Sequence, residues 1–170
     1  MGPSRQKVPA ARHGVRISPA VNSDRIKNGP LATITSKEPV VADLFSGVGG
    51  VAKQVRLLGV EAVEIDIVHG PEHDMLKTDN QVSFMASLRA GHFRSVMIAL
   101  DCKSFSRARR GRPPPVRSSD HIWGLPFLSE KDSDLLNRGN RLAVFVAKIL
   151  RECIRRRILF VLENHLTSML

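Results

Sequence analysis

Residues 40–50 read Val-Val-Ala-Asp-Leu-Phe-Ser-Gly-Val-Gly-Gly. A short apolar run meets an acid, Asp43, and then breaks into a loop, Phe45-Ser46-Gly47-Val48-Gly49-Gly50, that carries three glycines. Glycines in such a loop let backbone N–H groups approach a ligand where a Cβ would collide. At the carboxyl end of a buried parallel strand, the acid and the loop would hold a polar, nucleotide-like ligand. Further acids recur at the ends of apolar stretches: Glu64 with Asp66 close behind it, Asp74, Asp101 and Glu163. Acids are poor core residues, so this repetition marks either one ligand-facing edge or a set of exposed loop ends that tolerate charge.

The elements that must position these residues alternate between strand and helix. Val40–Leu44 reads as the first strand, and Gly50–Leu58 as a helix with Val51, Val55 and Leu58 at helical spacing and Gly59 closing it. Val60–Ile67 is the second strand and Asp74–Leu76 a short third one. Asn80–Arg89 reads as a helix capped by Asn80, followed by a buried strand over Ser95–Leu100. Lys103–Leu128 is a long irregular loop. Ser129–Arg157 contains a long helix, with Ser129 or Asp132 as its cap and an apolar stripe of Leu142, Phe145, Val146, Ile149, Leu150, Cys153 and Ile154. Ile158–Leu162 is the last buried strand. Nearly all-apolar strands alternating with helices predict an α/β fold with a doubly wound, mainly parallel sheet, in which right-handed crossovers gather the ligand-facing loops on one edge.

The chain has 170 residues, enough for one domain with a sizeable core. Its 26 Lys and Arg against 16 Asp and Glu give a formal charge of +10, a balance that favours polyanions, nucleic acid first. Part of that charge lies in residues 1–38, which read as a basic, disordered tail: either a solvated extension or an arm that tethers nucleic acid. The domain proper is expected over residues 39–170. The basic N-terminus has no apolar core of the signal-peptide kind, and no apolar run approaches the ~20 residues that span a bilayer. Two cysteines, Cys102 and Cys153, make neither a disulfide framework nor a zinc pattern. These features point to a reducing, intracellular setting, cytoplasmic or nuclear.

With these elements in place, the motifs resemble the DNA cytosine-5 methyltransferases. Asp43-Leu44-Phe45-Ser46-Gly47-Val48-Gly49-Gly50 is similar to the first motif of that family, Glu64-Ile65-Asp66 to its second-strand acid, Cys102-Lys103-Ser104-Phe105-Ser106 to its Pro-Cys-Gln-Pro-Phe-Ser segment, and Glu163-Asn164 to its Glu-Asn-Val. The resemblance implies a Rossmann-like fold of the class I methyltransferase type and S-adenosylmethionine as cofactor. It assigns Asp43, Phe45, Ser46, Gly47, Gly49 and Gly50 to the cofactor loop, Glu64 (or Asp66) to the ribose hydroxyls and Asp74 to the adenine amino group. Cys102 would be the thiolate that adds to carbon 6 of a flipped-out cytosine, and Glu163 the acid at the N3 side of the base. Lys103 and Arg107 would help lower the thiol pKa.

The departures from that pattern are specific. Asp101 stands where the family has the Pro before its cysteine, Lys103 and Ser104 replace Gln and Pro, and His165 replaces Val. The sequence after Glu163-Asn164 carries no counterpart of the family's later motifs and strands, so the sheet is expected to be incomplete: a fragment, a remnant, or half of a two-chain enzyme. The segment Ser106–Arg117 holds five arginines and no acid. Of these, Arg107, Arg109, Arg110 and Arg112 are the expected phosphate contacts, and His121, Trp123 and Gly124 either cap the loop or serve a base, with Trp123 alternatively a packing anchor. Two other functions stay open. One is methylation of an exocyclic amine, for which Asp101 matches the first residue of the usual turn; the other is a cofactor- and nucleic-acid-binding module without catalysis.

Overall fold

Four short strands carry the fold, and their alternation decides what each helix covers. The computed structural model describes residues 38–101, 103–105 and 115–164. The elements run β1 (Val40–Leu44), α1 (Gly50–Leu57), β2 (Ala62–Ile65), two 3-10 turns (Ile67–His69 and Pro71–His73), α2 (Thr78–Ala90), β3 (Phe93–Ala99), α3 (Glu130–Arg156) and β4 (Leu159–Glu163). The sheet is all parallel, in the order β2-β1-β3-β4. The α/β class with a parallel sheet is as expected and is compatible with a Rossmann-like fold. Among the described residues no helix is long and apolar enough to cross a membrane. Of the expected basic tail, only Glu38 lies within the described residues.

Register assigns the two faces. Val40, Ala42 and Leu44 pair with Phe93, Val96 and Ile98, and the last two of these pair in turn with Phe160 and Leu162. That face takes α2 and α3: Phe84 of α2 stacks on Phe93 at 5.1 Å and meets Phe145 of α3 edge-on at 6.1 Å. The buried residues Leu88, Val146, Ile149 and Cys153 complete this core. Cys153 is buried with its thiol pushed up to about 11, mainly by desolvation, so it packs as a small apolar residue. The opposite face takes α1, which packs mainly on β1 and β2. Right-handed crossovers require this division, because the chain moves from β1 to β2 in one direction and from β2 to β3 and β4 in the other.

Several local readings need correction. The expected strand at Asp74–Leu76 does not form: Pro71 starts a 3-10 turn, and Asp74 Oδ1 accepts the Leu76 amide at 2.9 Å, bending the chain into an Asx turn. The second strand is shorter than Val60–Ile67 because Asp66 caps the turn that follows, accepting the Val68 amide at 3.0 Å. Helix α2 starts at Thr78, so Asn80 is not its cap; its amide nitrogen instead donates to the carbonyls of Pro71 and Asp74. On α1 the apolar spacing does not mark the buried face. Ala52 is buried, while Val51 and Leu58 are exposed. Gly59 does close that helix, in a left-handed conformation with its amide on Arg56 O at 3.0 Å. Ser129 caps α3, with Oγ accepting the Asp132 amide at 3.2 Å, and Ile154 leaves the predicted stripe for solvent. β4 is not buried: its side chains are largely exposed, and among the described residues it pairs only with β3.

Glu152 ties the end of α3 together. Its carboxylate accepts from Arg155 Nε at 3.3 Å and from Arg155 Nη2 and Arg156 Nε at 2.5 Å, and Arg89 Nε of α2 lies 3.8 Å away. Hydrogen bonding from Arg155, then from Arg156, holds its pKa down to about 2 against an ordinary 4.5. A depressed folded-state pKa stabilises the fold fully above the unfolded value and loses that contribution as pH falls toward the folded value. Urea midpoints measured against pH should therefore drop between about pH 4.5 and pH 2. Glu152→Gln should lower stability at neutral pH and flatten the acid limb; an unchanged acid limb would refute the assignment.

Candidate functional site

The order β2-β1-β3-β4 places a topological switch point between β1 and β3, whose onward connections leave in opposite directions. Ligands of open parallel sheets bind outside the carboxyl ends of the strands at such a point. Here that place is taken by the loop Phe45–Gly49.

The loop is held at both sides. Asp43, 2% exposed, is the last polar residue of β1, and its register with Glu64 puts both carboxylates on the α1 face. Asp43 Oδ2 accepts the Ala52 amide at 2.9 Å, capping the first turn of α1 from the strand; burial raises its pKa despite that bond. Phe45, Gly47 and Gly49 all have positive φ, at 61°, 53° and 72°. For a phenylalanine this is an uncommon conformation, held here by the Phe45 amide on Ile65 O at 2.7 Å and by packing of its ring on the core. The Gly49 amide returns to Ser46 O at 2.8 Å, which closes the turn. The Gly47 amide donates to Asp66 Oδ2 at 3.0 Å, so Asp66 bridges the loop to the turn after β2.

Gly49 also lies against a side chain of β2. A Cβ there would lie 2.3 Å from Glu64 Oε2, so the Glu64 carboxylate sits directly against the loop backbone. Arg56 of α1 ion-pairs with Glu64 and also donates to Ala62 O at 2.8 Å. His69 Nε2 lies 3.4 Å from Glu64 Oε2 and 3.5 Å from Ser46 Oγ. One nitrogen makes both contacts, so these three residues are not a Ser-His-Glu relay, which needs both ring nitrogens. His73 meets His69 edge-on at 5.8 Å, and burial lowers its pKa. Gly50, by contrast, has open space where a side chain would go and no positive φ.

The structure thus brings together Asp43, Phe45, Ser46, Gly47, Gly49 and Glu64, and adds Arg56, Asp66 and His69. Asp66 was an alternative to Glu64 for the ribose; its oxygens are already used by two backbone amides. Arg56 escaped notice, although it lies eight residues before Glu64 across the α1–β2 connection and so could have been paired with it. Asp74 belongs to an Asx turn and not to a strand end. Glu163 ends β4 as expected but is exposed, not buried.

Cys102 and Arg107, Arg109, Arg110 and Arg112 lie outside the described residues, as does His165. On either side of residue 102, Asp101 Oδ1 accepts the Lys103 amide at 3.0 Å and Oδ2 lies 3.3 Å from Lys103 Nζ. The Lys103 charge is therefore paired with Asp101. Arg117 is also not a phosphate contact. It is 2% exposed, donates to Ser104 O, Ser104 Oγ and Ile122 O, and lies 3.9 Å over the Phe105 ring. Desolvation lowers its pKa to about 10, and carbonyl acceptors and the ring face take the place of a carboxylate. Gly139 of α3 leaves room for this staple, since a Cβ there would fall 2.2 Å from Ser104 Oγ. Trp123 is 61% exposed and so is not a packing anchor; its carbonyl accepts from Asn140.

The two glycines make opposite demands on a methyl group. Gly49→Ala should destabilise by about 1 kcal/mol, from strain at positive φ, and should displace the Glu64 carboxylate. Gly50→Ala, at the first position of α1, should be neutral or stabilise by up to about 1 kcal/mol. Chemical denaturation of the two variants checks this, and equal losses would show that the loop is not held as described. Compared with protein-family models, with curated proteins and with solved structures, the chain matches none.

Proposed function

We propose that the chain binds S-adenosylmethionine at the carboxyl edge of the sheet and acts as a methyltransferase on cytosine carbon 5 in DNA, through a class I methyltransferase-type fold. The observation that carries the first half is the glycine loop at the β1/β3 switch point with the Glu64 carboxylate packed on Gly49. The fit to the cofactor is reasonable chemically. Glu64 is met by Arg56 and His69 yet keeps lone pairs for two hydroxyls. The first turn of α1 leaves the Gly50 and Val51 amides without intrahelical partners, beside a loop that already spends its Gly47 and Gly49 amides internally. Those free amides suit a carboxylate.

Bound S-adenosylmethionine would supply an electrophilic methyl group. The chain's own part follows from Cys102 and Glu163. The Cys102 thiolate adds to carbon 6, Glu163 stabilises the adduct at N3, and carbon 5 becomes nucleophilic enough to take the methyl. Loss of the carbon 5 proton to a base then expels the thiolate and restores the ring. The net charge of +10 and Arg107, Arg109, Arg110 and Arg112 support a polyanionic substrate.

One observation favours a second reading. Glu163 is exposed at the end of β4, which among the described residues pairs only with β3, whereas an acid that must hold a flipped base needs an enclosing wall. On that reading the chain binds cofactor and nucleic acid without catalysis, with its sheet completed by a further segment or chain where it is active. Exocyclic-amine methylation keeps only the Asp101 match.

Calorimetric titration of S-adenosylmethionine should give saturable one-site binding that Glu64→Ala weakens at least about tenfold. No binding by the folded chain would sink the cofactor assignment. With binding established, Cys102→Ser should abolish methyl transfer to cytosine-containing DNA and leave cofactor affinity unchanged. Retained transfer would point to an amine acceptor, and no transfer by either protein would leave the binding module.

A further inference from the structure

The seam between α2 and α3 opens into a groove of about 700 Å³ with two unlike walls. The α2 wall offers Thr78, Gln81, Val82 and Met85, all uncharged, with Arg89 at its end. On the α3 wall Lys148, Arg151 and Arg155 follow at helical spacing, which stacks them in one row. The floor is apolar: Met85 and Phe145 are buried there, and Val82 and Ile154 stand exposed at its margins. We propose that this groove binds a free amphipathic organic anion, its apolar body on Val82, Met85, Phe145 and Ile154 and its carboxylate or phosphate held by Lys148 and Arg151.

Three observations carry this. First, the charge in the groove is unequally committed. Glu152, the acid among the lining residues, accepts from Arg155 and Arg156 at 2.5 Å, and Arg89 Nε lies 3.8 Å from it. Lys148 and Arg151 are exposed and have no acidic partner among the described residues. Two free cations three residues apart on one helix are neighbours on its surface, close enough to share one anionic group.

Second, the apolar strip calls for an apolar partner. Val82 and Ile154 are 46% and 68% exposed, beside the buried Met85 and Phe145. An apolar body laid there removes that surface from water, and the flexible Met85 thioether adapts to its shape. A simple anion would leave the strip wet. A phosphodiester strand would leave it wet too, and would have to pass the Glu152 carboxylate.

Third, the volume lies within the ~300–1,000 Å³ of small-molecule sites, which join a mainly apolar lining to a few placed polar groups. The groove shares no residue with the Phe45–Gly49 loop, so this inference does not depend on the cofactor or on Cys102.

Calorimetric titration of dodecanoate, below its micellar concentration, into the full chain tests it, read beside the methyl NMR signals of the methionines. Dodecanoate should bind at one site. The Met85 methyl should shift saturably with the same affinity, while that of Met97, level with Asp43 in the sheet, stays in place. Reversing both cations, Lys148→Glu with Arg151→Glu, should weaken binding at least about tenfold with an unchanged far-UV circular dichroism spectrum. Val82→Asp should weaken it by a similar factor. Acetate, a head without a body, and dodecyl maltoside, a body without a charge, should each bind at least about tenfold more weakly than dodecanoate. No binding by the folded chain would overturn the proposal, as would a shift of Met97 in place of Met85 or full affinity in the double reversal. A duplex oligonucleotide that displaces dodecanoate and itself loses affinity in the double reversal would also overturn it, and would reassign the two cations to nucleic acid.

Discussion

Asp43, next to last in β1, is a buried carboxylate whose Oδ2 accepts the Ala52 amide, and the surrounding geometry follows from that bond. It fixes the first turn of α1 against the end of β1, so the chain must reverse within Phe45–Gly49. That is achieved by three residues at positive φ, one of them a phenylalanine anchored through Ile65 O. The tight reversal brings Gly49 under Glu64 and aims the Gly47 amide at Asp66. A buried carboxylate without such a partner would be costly, and the raised pKa of Asp43 shows that burial outweighs the compensation.

How much of this was legible in the sequence depends on the range of the interaction. β1, α3 and its Ser129 cap follow from local pattern, because apolar runs and capping residues act within one element. Short elements were read less well. Asp74–Leu76 has too few residues for its apolar pair to outweigh the Asx turn, and α1, with eight residues, buries Ala52 in place of its larger apolar side chains. Arg117 was illegible in principle. In a run of arginines and prolines nothing marks the one that reaches back to Ser104 and Phe105, since two of its three acceptors are main-chain carbonyls with no residue signature.

The acids at the strand ends show why composition alone could not separate a ligand site from a well-organised set of loops. Asp43, Asp66, Asp74 and Asp101 each accept a backbone amide nearby, and Glu64 takes Arg56. Every one of them has a structural use. A carboxylate has room for about four hydrogen bonds, so such use does not preclude a ligand. It orients the remaining lone pairs in advance, which is what a binding site requires. The two readings of the acid pattern, ligand edge and tolerated loop charge, are therefore less opposed than they look at the level of sequence.

Glu163 is the exception among these acids, and the reason lies in the edge position of β4. The other acids are each held by a nearby backbone amide or a neighbouring side chain; Glu163 ends a strand with nothing beyond it among the described residues. An acid that is to hold a base in place needs an enclosing wall, and among the described residues the edge beside Glu163 supplies none, so the position of β4 in the sheet, and not the residue type, decides what Glu163 can do.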